Sequence, residues 1–524
     1  MKQYLVTAEE MKQYDTNTIE KFHIPGLLLM ERAALVTVEE LQRVRGKTAC
    51  RVLVLAGRGN NGGDGLAVGR LLMLQGYEVT FVLPGGDAGG TKETAAQLAI
   101  LSGYQVRTYN TIPDLEYDIV IDAVFGIGLS RSVEGVYQDI IQWINHSGCF
   151  VCSVDIPSGI HADTGAVMGC AVRADLTVTY GFRKIGHILY PGAACSGELV
   201  CRQMGIDEHS FLGKIPFWYT YIGREPALLP IRRADGNKGT FGKALIIAGS
   251  AKMAGAAMLA AKSAFRIGAG MVKVVTAEEN KCVIQQFVPE AMLLTYTNAA
   301  TKPEEERFMK ALQEAESWAD CIMIGPGIGM EAEAERILRF VILKSRLPLV
   351  IDADGINLLA RDPALQAAMS KKGDSPRMVI LTPHLGEFAR IYDASVAQVK
   401  KNMPDYARLL ARRLQCIVVC KDARTAVVQG NGTQGYLNTS GNSGMATAGS
   451  GDVLAGMITG LLAQGMQGME AAVAGVYLHG CAGDLAAEQE TEAGMMATDL
   501  IACIKKASLM IQGGLKKHNA EDDI

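Results

Sequence analysis

Arg51-Val52-Leu53-Val54-Leu55-Ala56-Gly57-Arg58-Gly59-Asn60-Asn61-Gly62-Gly63-Asp64-Gly65 changes character once along its length. Residues 51 to 56 form a short, almost continuous apolar run, the pattern of a parallel strand covered on both faces. Residues 57 to 65 carry five glycines in nine positions, and an apolar helical stretch begins at Leu66. A strand that runs through a glycine-rich segment into a helix is the building unit of doubly wound α/β sheets, whose ligands bind at the carboxyl ends of the strands. The segment is not the dinucleotide fingerprint GxGxxG, because Asn60, Asn61 and Asp64 carry hydrogen-bonding side chains into the crevice. A tight turn would use Asn and Gly for backbone geometry alone, but it needs one or two such residues and not a run of nine.

The same alternation continues on either side. Residues 8 to 22 and 26 to 45 read as helices broken by Ile24-Pro25-Gly26. Further strand candidates are EVTFVLP from 78, DIVIDAVFG from 118, CFVCSVDIP from 149, DLTVTYG from 175 and GELVCRQ from 197, mostly separated by helix-length segments. Asp122 opens Asp122-Ala123-Val124-Phe125-Gly126-Ile127-Gly128-Leu129-Ser130-Arg131, and Asp155 opens Asp155-Ile156-Pro157-Ser158-Gly159. In a parallel sheet these tips and the segment at 57 face one edge, so amides, hydroxyls and carboxylates converge there.

At 524 residues the chain is too long for one hydrophobic core and divides into two or more domains. With 49% hydrophobic and 20% charged residues it has an ordinary globular composition, and a net charge of -4 gives no reason to expect nucleic acid or an acidic membrane as partner. The start, MKQYLVTAEEMKQYD, is charged where a signal peptide needs an apolar centre, and no apolar run is long enough to cross a bilayer, so a cytoplasmic protein is expected. The 12 cysteines are scattered without zinc-ligand spacing and read as buried free thiols.

Between Phe211 and Ala234 periodicity lapses, and Pro216, Pro226 and Pro230 place a linker at 213–228. The second half restarts at Asn237-Lys238-Gly239-Thr240-Phe241-Gly242. Strand candidates follow at KALIIAGS (243), MVKVVTA (271), CIMIGPG (321), PLVIDADG (348), MVILTPH (378) and CIVVCK (416), with a small-residue helix from Met253. The tail from Lys516 is polar and expected to fray. Gly449-Ser450-Gly451-Asp452-Val453-Leu454-Ala455-Gly456 reads as a helix N-terminus open to an anion, since small residues let backbone N–H groups approach a phosphate. Asp452 is there either an N-terminal cap or a base that takes a proton from a hydroxyl. Asp352 and Asp354 either cap the helix at Gly355 to Ala360 or bind a magnesium ion beside phosphates. His384 reads equally as a structural histidine or a ligand contact, and Lys421, in the hairpin-like KDARTAVVQG, as a solvated charge or a phosphate contact.

Asn60 to Gly65, DAVFGIGLSR and DIPSG together resemble the epimerase domain of the bifunctional NAD(P)H-hydrate repair enzymes, over about residues 1–215. The resemblance implies interconversion of the R and S forms of hydrated nicotinamide cofactors. It implies that Asn60, Asn61, Gly62, Gly63, Asp64, Gly126, Ile127, Gly128, Leu129, Ser130, Arg131, Ser132 and Tyr137 hold the hydrate. By the same resemblance Asp155 contacts the reacting end as the catalytic residue, and Asn61, Asp122 and Ser158 ligate a potassium ion. Oxygen donors without Cys or His agree with such a hard cation, though they do not choose potassium by themselves.

The order KGTFG, AGS, GPGIG, DADG, TPHLGE, GSGDVLAG and YLHGCAGDLA is similar to the dehydratase domain of the same enzymes, itself akin to ribokinase-like kinases, within residues 228–515. This implies that Ala256, Gly327, His384 and Asp452 contact the hydrate, with Asp452 catalytic, and that Lys421, Asp422, Ala423, Arg424, Thr425 and Gly451 bind the nucleotide. ADP, with a magnesium ion, would drive loss of water from the S hydrate, giving NADH or NADPH, AMP and phosphate. The implied fold is α/β with two doubly wound domains, Rossmann-like then ribokinase-like. The expected partners are small molecules, in a homo-oligomer without nucleic acid or membrane. The family commonly has Lys-Gly where this chain has Lys421-Asp422, and Thr where it has Ser450. The alternative reading is a ribokinase-like vitamin-precursor kinase with a non-catalytic ligand-binding N-terminal module, which would leave a stable phosphorylated alcohol instead of releasing phosphate.

Overall fold

The computed structural model describes residues 2–86, 90–223, 228–297, 301–370 and 377–518; part of the expected linker, 224–227, and the last residues of the tail, 519–524, lie outside them. The described chain forms two compact units, one from Gln3 to Trp218 and one made of the chain from Tyr219 onward together with Lys2.

The first unit is built on seven parallel strands in the order Thr108–Tyr109, Glu78–Val82, Arg51–Ala56, Ile119–Ala123, Phe150–Val154, Leu176–Tyr180 and Glu198–Arg202. Val54 lies in register with Phe81 on one side and Ile121 on the other. Both faces are covered, as the apolar run at 51 predicts. Val52, Val54 and Ala56 pack with Leu29, Leu66 and Leu101, whereas Leu53 and Leu55 pack with Ile140, Ile141 and Ile144. The chain leaves the strand at 51 towards one edge and returns at 119 on its other side. The switch point therefore falls between the segments that follow Ala56 and Ala123, where such sheets receive ligands.

The helix after the first strand runs Asn60–Leu74, not from Leu66 as the sequence suggests. Most of the glycine-rich stretch is thus helical, and its glycines serve close packing. A Cβ on Gly62 would lie 1.8 Å from the Gly57 carbonyl oxygen, and one on Gly65 2.3 Å from the Ala123 Cβ. The expected helices are present as Ala8–Lys21 and Gly26–Arg45. Short strands at Lys2–Val6, Thr108–Tyr109 and Arg183–Lys184 were not expected, the second and third being only two residues long.

In the second unit the strand order is Met292–Tyr296, Met271–Ala277, Lys243–Ile247, Cys321–Ile324, Leu349–Ile351, Val379–Leu381 and Ile417–Cys420, all parallel, extended by antiparallel Ala426–Gln429 and Gly435–Leu437. Its switch point lies between Lys243–Ile247 and Cys321–Ile324. The expected strands are found, and those at 292 and 435 are additions. The linker region also holds a strand, Trp218–Tyr221, because alternating aromatics and threonine suit a pleated surface despite the prolines around them. Its Tyr221 ring packs 5.4 Å from Tyr436 and 5.8 Å from Tyr477.

The helix Ser450–Ala463 is buried at every position from Val453 to Ala463 and lies on the central strands and on the helix Ala254–Ile267. The last helix reaches His518, so the tail from Lys516 begins as helix. Cys282, expected to be buried, is exposed. No described helix is long and apolar enough to cross a membrane.

Candidate active sites at two strand edges

In the first unit Asp155 follows the strand Phe150–Val154 with φ +63°, a left-handed conformation that Asp tolerates better than most residues. Its N–H donates to the Val178 carbonyl at 2.8 Å, and its own carbonyl accepts from His187 Nε2 at 2.9 Å. His187 Nδ1 in turn accepts the Lys184 N–H at 3.1 Å, which fixes a neutral ring. Burial, aided by the nearby Lys184 charge, lowers the His187 pKa to about 3. The Asp155 carboxylate accepts from Thr179 Oγ1 at 2.8 Å and from the Lys184 ammonium on the same oxygen. Burial by itself would raise the Asp155 pKa, but the Lys184 charge and hydrogen bond, with a smaller contribution from the Thr179 hydrogen bond, hold it below the usual carboxylate range. Asp64 behaves oppositely: burial and then the Asp155 charge push its pKa well above that range. The environments of two neighbouring carboxyl groups thereby push their pKa values in opposite directions.

Asp122, fully buried at the tip of the adjacent strand, accepts from Ser158 N at 2.9 Å, Ser158 Oγ at 2.5 Å and Ser153 Oγ at 2.7 Å. Burial raises its pKa, and these hydrogen bonds oppose the rise. Ser158 Oγ also receives the Phe125 N–H at 2.8 Å. The neighbouring Gly126 lies against Asn61, whose Cγ would be 3.2 Å from a Cβ there. Asn61 Nδ2 is buried without a hydrogen-bond partner. A hard cation fits this set: an unsatisfied amide, which can present its oxygen by turning over, close in the fold to a buried carboxylate and hydroxyl.

Of the other expected hydrate contacts, Asn60 to Asp64 open the helix and Gly126 to Ser132 form the loop after Ala123, both at the switch point. The Tyr137 ring lies 4.9 Å from that of Phe125, tilted by 56°. Ser130, Arg131 and Ser132 are exposed.

In the second unit Gly449, at φ +88°, is the N-cap of the helix Ser450–Ala463, and no side chain caps that end. Asp452 is therefore not spent on the cap. Burial first, then the charges of Asp352, Asp354 and Glu387, raise its pKa to about 7, while Lys421 pulls the other way. Lys421 Nζ would lie 3.1 Å from a Cβ on Gly451, so the ammonium sits beside the bare helix end. It donates to Asp352 Oδ1 at 2.8 Å, and the same oxygen accepts from Thr382 Oγ1 at 2.7 Å. Asp352 is consequently not the helix cap that the sequence allows; the cap position is Ala353, and the carboxylate faces the neighbouring strand tips. The Asp354 carboxylate accepts the Gly329 N–H at 3.0 Å.

His384 caps the helix Leu385–Tyr392, its Nδ1 accepting from Gly386 N at 2.9 Å, so the structural role is filled while the ring remains half exposed. Ala256 and Gly327 are brought together: a Cβ on Gly327, at φ +60°, would lie 2.9 Å from the Ala256 Cβ. Lys421 to Thr425 form the turn between two antiparallel strands, with Asp422 and Ala423 exposed and Arg424 donating to the Thr439 carbonyl at 2.9 Å. Sequence reasoning missed Lys184, Thr179 and His187 around Asp155, and the bond from Asp352 to Lys421. A lysine and a histidine within the largely apolar YGFRKIGHILYPG were the only signal for the first group.

Residues 26–186 match the family described as YjeF-related protein N-terminus, and residues 244–506 the family described as NAD(P)H-hydrate dehydratase. A bifunctional NAD(P)H-hydrate repair enzyme of Thermofilum pendens is 37% identical over 513 residues, 95% of each chain. That of Moorella thermoacetica is 36% identical over 512 residues, again 95% of each. Among solved structures, the ADP/ATP-dependent NAD(P)H-hydrate dehydratase from Bacillus subtilis, co-crystallized with ATP/Mg2+, is 31% identical, covering 53% of this chain and 93% of its own, with a TM-score of 0.44.

Proposed function

Since the chain belongs to the bifunctional NAD(P)H-hydrate repair enzymes, we propose how its two strand edges divide that work. It repairs hydrated NADH and NADPH, with an epimerase and a dehydratase in one chain. The epimerase occupies residues 1–215 and the dehydratase 228–515. In the first, Asp155 takes and returns the proton that R/S interconversion requires, while Asn60 to Asp64, the loop from Gly126 to Ser132, and Tyr137 hold the hydrate. Asn61, Asp122 and Ser158 would hold a potassium ion, whose charge would orient the polar groups of the site.

In the second, Asp452 accepts the proton of the S hydrate's hydroxyl as that oxygen receives the terminal phosphoryl group of ADP, with AMP as the leaving group. Departure of phosphate from the ring carbon, together with loss of a proton from the adjacent ring carbon to water or to the departing phosphate, then restores the dihydronicotinamide. Ala256, Gly327 and His384 contact the hydrate. Lys421, Asp422, Ala423, Arg424, Thr425 and Gly451 receive the nucleotide, with Lys421 and the free N–H groups at the helix end facing its phosphates. Among the described residues no three His, Cys, Asp or Glu side chains could together hold a metal, so a magnesium ion would be carried largely by the phosphates and water. We also place the enzyme in the cytoplasm. Assembly as a homo-oligomer is supported by the exposed apolar residues Phe22, Leu27, Leu28 and Leu35 near the first helices, and light scattering decides it.

The observation that carries this reading is Asp452, poised near neutrality beside a lysine at an uncapped helix N-terminus. The test supplies chemically hydrated NADH and ADP and follows dihydronicotinamide absorbance together with phosphate release. Asp452→Asn should abolish recovery from the S hydrate and spare R/S interconversion, and Asp155→Asn should do the reverse. A stable phosphorylated product without phosphate release would instead make the second unit a kinase.

A further inference from the structure

Behind the Asp155 carboxylate stands a buried cation that the proposed epimerase chemistry leaves unused. Lys184 is 1% exposed, in the two-residue strand Arg183–Lys184 that pairs with Val6. An ammonium removed from water needs partners, and this one has two: an Asp155 carboxylate oxygen and Thr179 Oγ1 at 2.9 Å. Asp155, at 13% exposed, reaches the crevice; Lys184 does not. Three residues further on, His187 grips the Asp155 carbonyl and the Lys184 N–H with its two ring nitrogens. The stretch 184–187 thus holds both the side chain and the backbone of a residue in the left-handed conformation.

We propose that Lys184 is a positioning residue for R/S interconversion: its ammonium binds one carboxylate oxygen of Asp155 and leaves the other for the substrate. The proposal rests on the reading of the first unit as an epimerase acting through Asp155. Its consequence is a carboxylate ready as a base in a place where burial favours the protonated form. The other groups that face Asp155 cannot replace the lysine. Asp64, on the helix Asn60–Leu74, is driven towards the neutral acid and has the Asp15 charge behind it. Tyr180 and Cys201, on the neighbouring strands, have raised pKa values chiefly from burial, and His187 is neutral. The Arg183 charge reaches Cys201 and His187.

The experiment measures R/S interconversion against pH in the full chain, with dehydration of pure S hydrate as internal reference, for the wild type, Lys184→Met, Lys184→Arg and Thr179→Val. In Lys184→Met the acidic limb should move up by about one pH unit or more, so that the loss of rate relative to the wild type is least at pH 9 and deepens as the pH falls through the carboxylate range, towards roughly tenfold or more on the acid side of the limb. Lys184→Arg should return the limb towards its original place, because it restores the charge. Thr179→Val should shift it the same way by less, and it decides the matter if Lys184→Met does not fold. A uniform loss of rate at every pH, or no shift in Thr179→Val, would overturn the proposal. A wild type that does not interconvert the hydrates would instead overturn the epimerase reading beneath it.

Discussion

At Asp452 two opposing effects can be compared by size. A helix N-terminus favours a negative charge by about 0.3–1 kcal/mol at an exposed site. A rise in pKa from 3.8 to about 7 is a shift of roughly three units, or about 4 kcal/mol as a ceiling, so burial and the surrounding carboxylates win. The dehydration rate should accordingly rise with pH through about 7 as the base ionises, and a limb near 4 would contradict the assignment. The same shift acts on stability. An acid whose folded pKa exceeds its unfolded value costs nothing below the unfolded pKa, and costs progressively more until the pH passes the folded one. Asp452→Asn should therefore stabilise the second unit by a margin that opens between about pH 4 and pH 7 and then stays constant, by up to a few kcal/mol; denaturant midpoints across that range would show it. A margin unchanged from pH 4 to pH 8 would mean that the carboxyl is not buried as described. The placement of Asp155 after a strand and of Asp452 in the first turn of a helix was legible in the sequence, because an apolar run precedes the one and a glycine-rich turn the other. The partnerships of Asp352 with Lys421 and of Lys184 with Asp155 were not. They arise only when segments far apart in the chain are laid side by side in the fold.

Within the helix Ser450–Ala463, glycines do two different jobs. A Cβ on Gly456 would stand 2.1 Å from Ser263 Oγ and 2.3 Å from the Ala260 carbonyl oxygen, and one on Gly460 2.7 Å from the Ala264 carbonyl oxygen. Backbone cannot give way at those distances, so the two helices must separate. Gly456→Ala should cost about 1–3 kcal/mol from overpacking, partly offset by about 1 kcal/mol of helix propensity, and lower the melting temperature of the second unit. Gly451 meets only the end of the Lys421 side chain at 3.1 Å. Gly451→Ala should leave that melting temperature within a degree or two, roughly, yet weaken ADP binding by tenfold or more, read by calorimetry. If both variants melt alike, the distinction fails. The strands longer than two residues were mostly legible as apolar runs between glycine-rich ends. The start of the helix at Asn60 was not, because glycines that permit close helix-on-strand packing and glycines that make a loop look alike in one dimension. The strand at Trp218 was hidden by the prolines around it.

The two compact units, each with its own sheet and its own strand edge, should unfold as separate cooperative events. Scanning calorimetry at fixed ionic strength should then show potassium, relative to choline, raising one transition, the one that Asp122→Ala lowers, while ADP raises the other. Potassium and choline acting equally would remove the cation site. The left-handed backbone of Asp155 also bears on how such a molecule changes through descent. Single base changes in an aspartate codon reach Asn, Gly, His, Ala, Val, Tyr and Glu. At φ +63° Gly and Asn are accepted readily and His with little strain, whereas β-branched and longer side chains are not. Of these Asn alone both suits the backbone and still offers the buried Lys184 ammonium an oxygen, so the replacement that best keeps the chain folded is one that discards the carboxylate. A lineage supplied with only one hydrate epimer would cross in a single mutational step to a protein with a mute but intact first half, and the return path would be just as short.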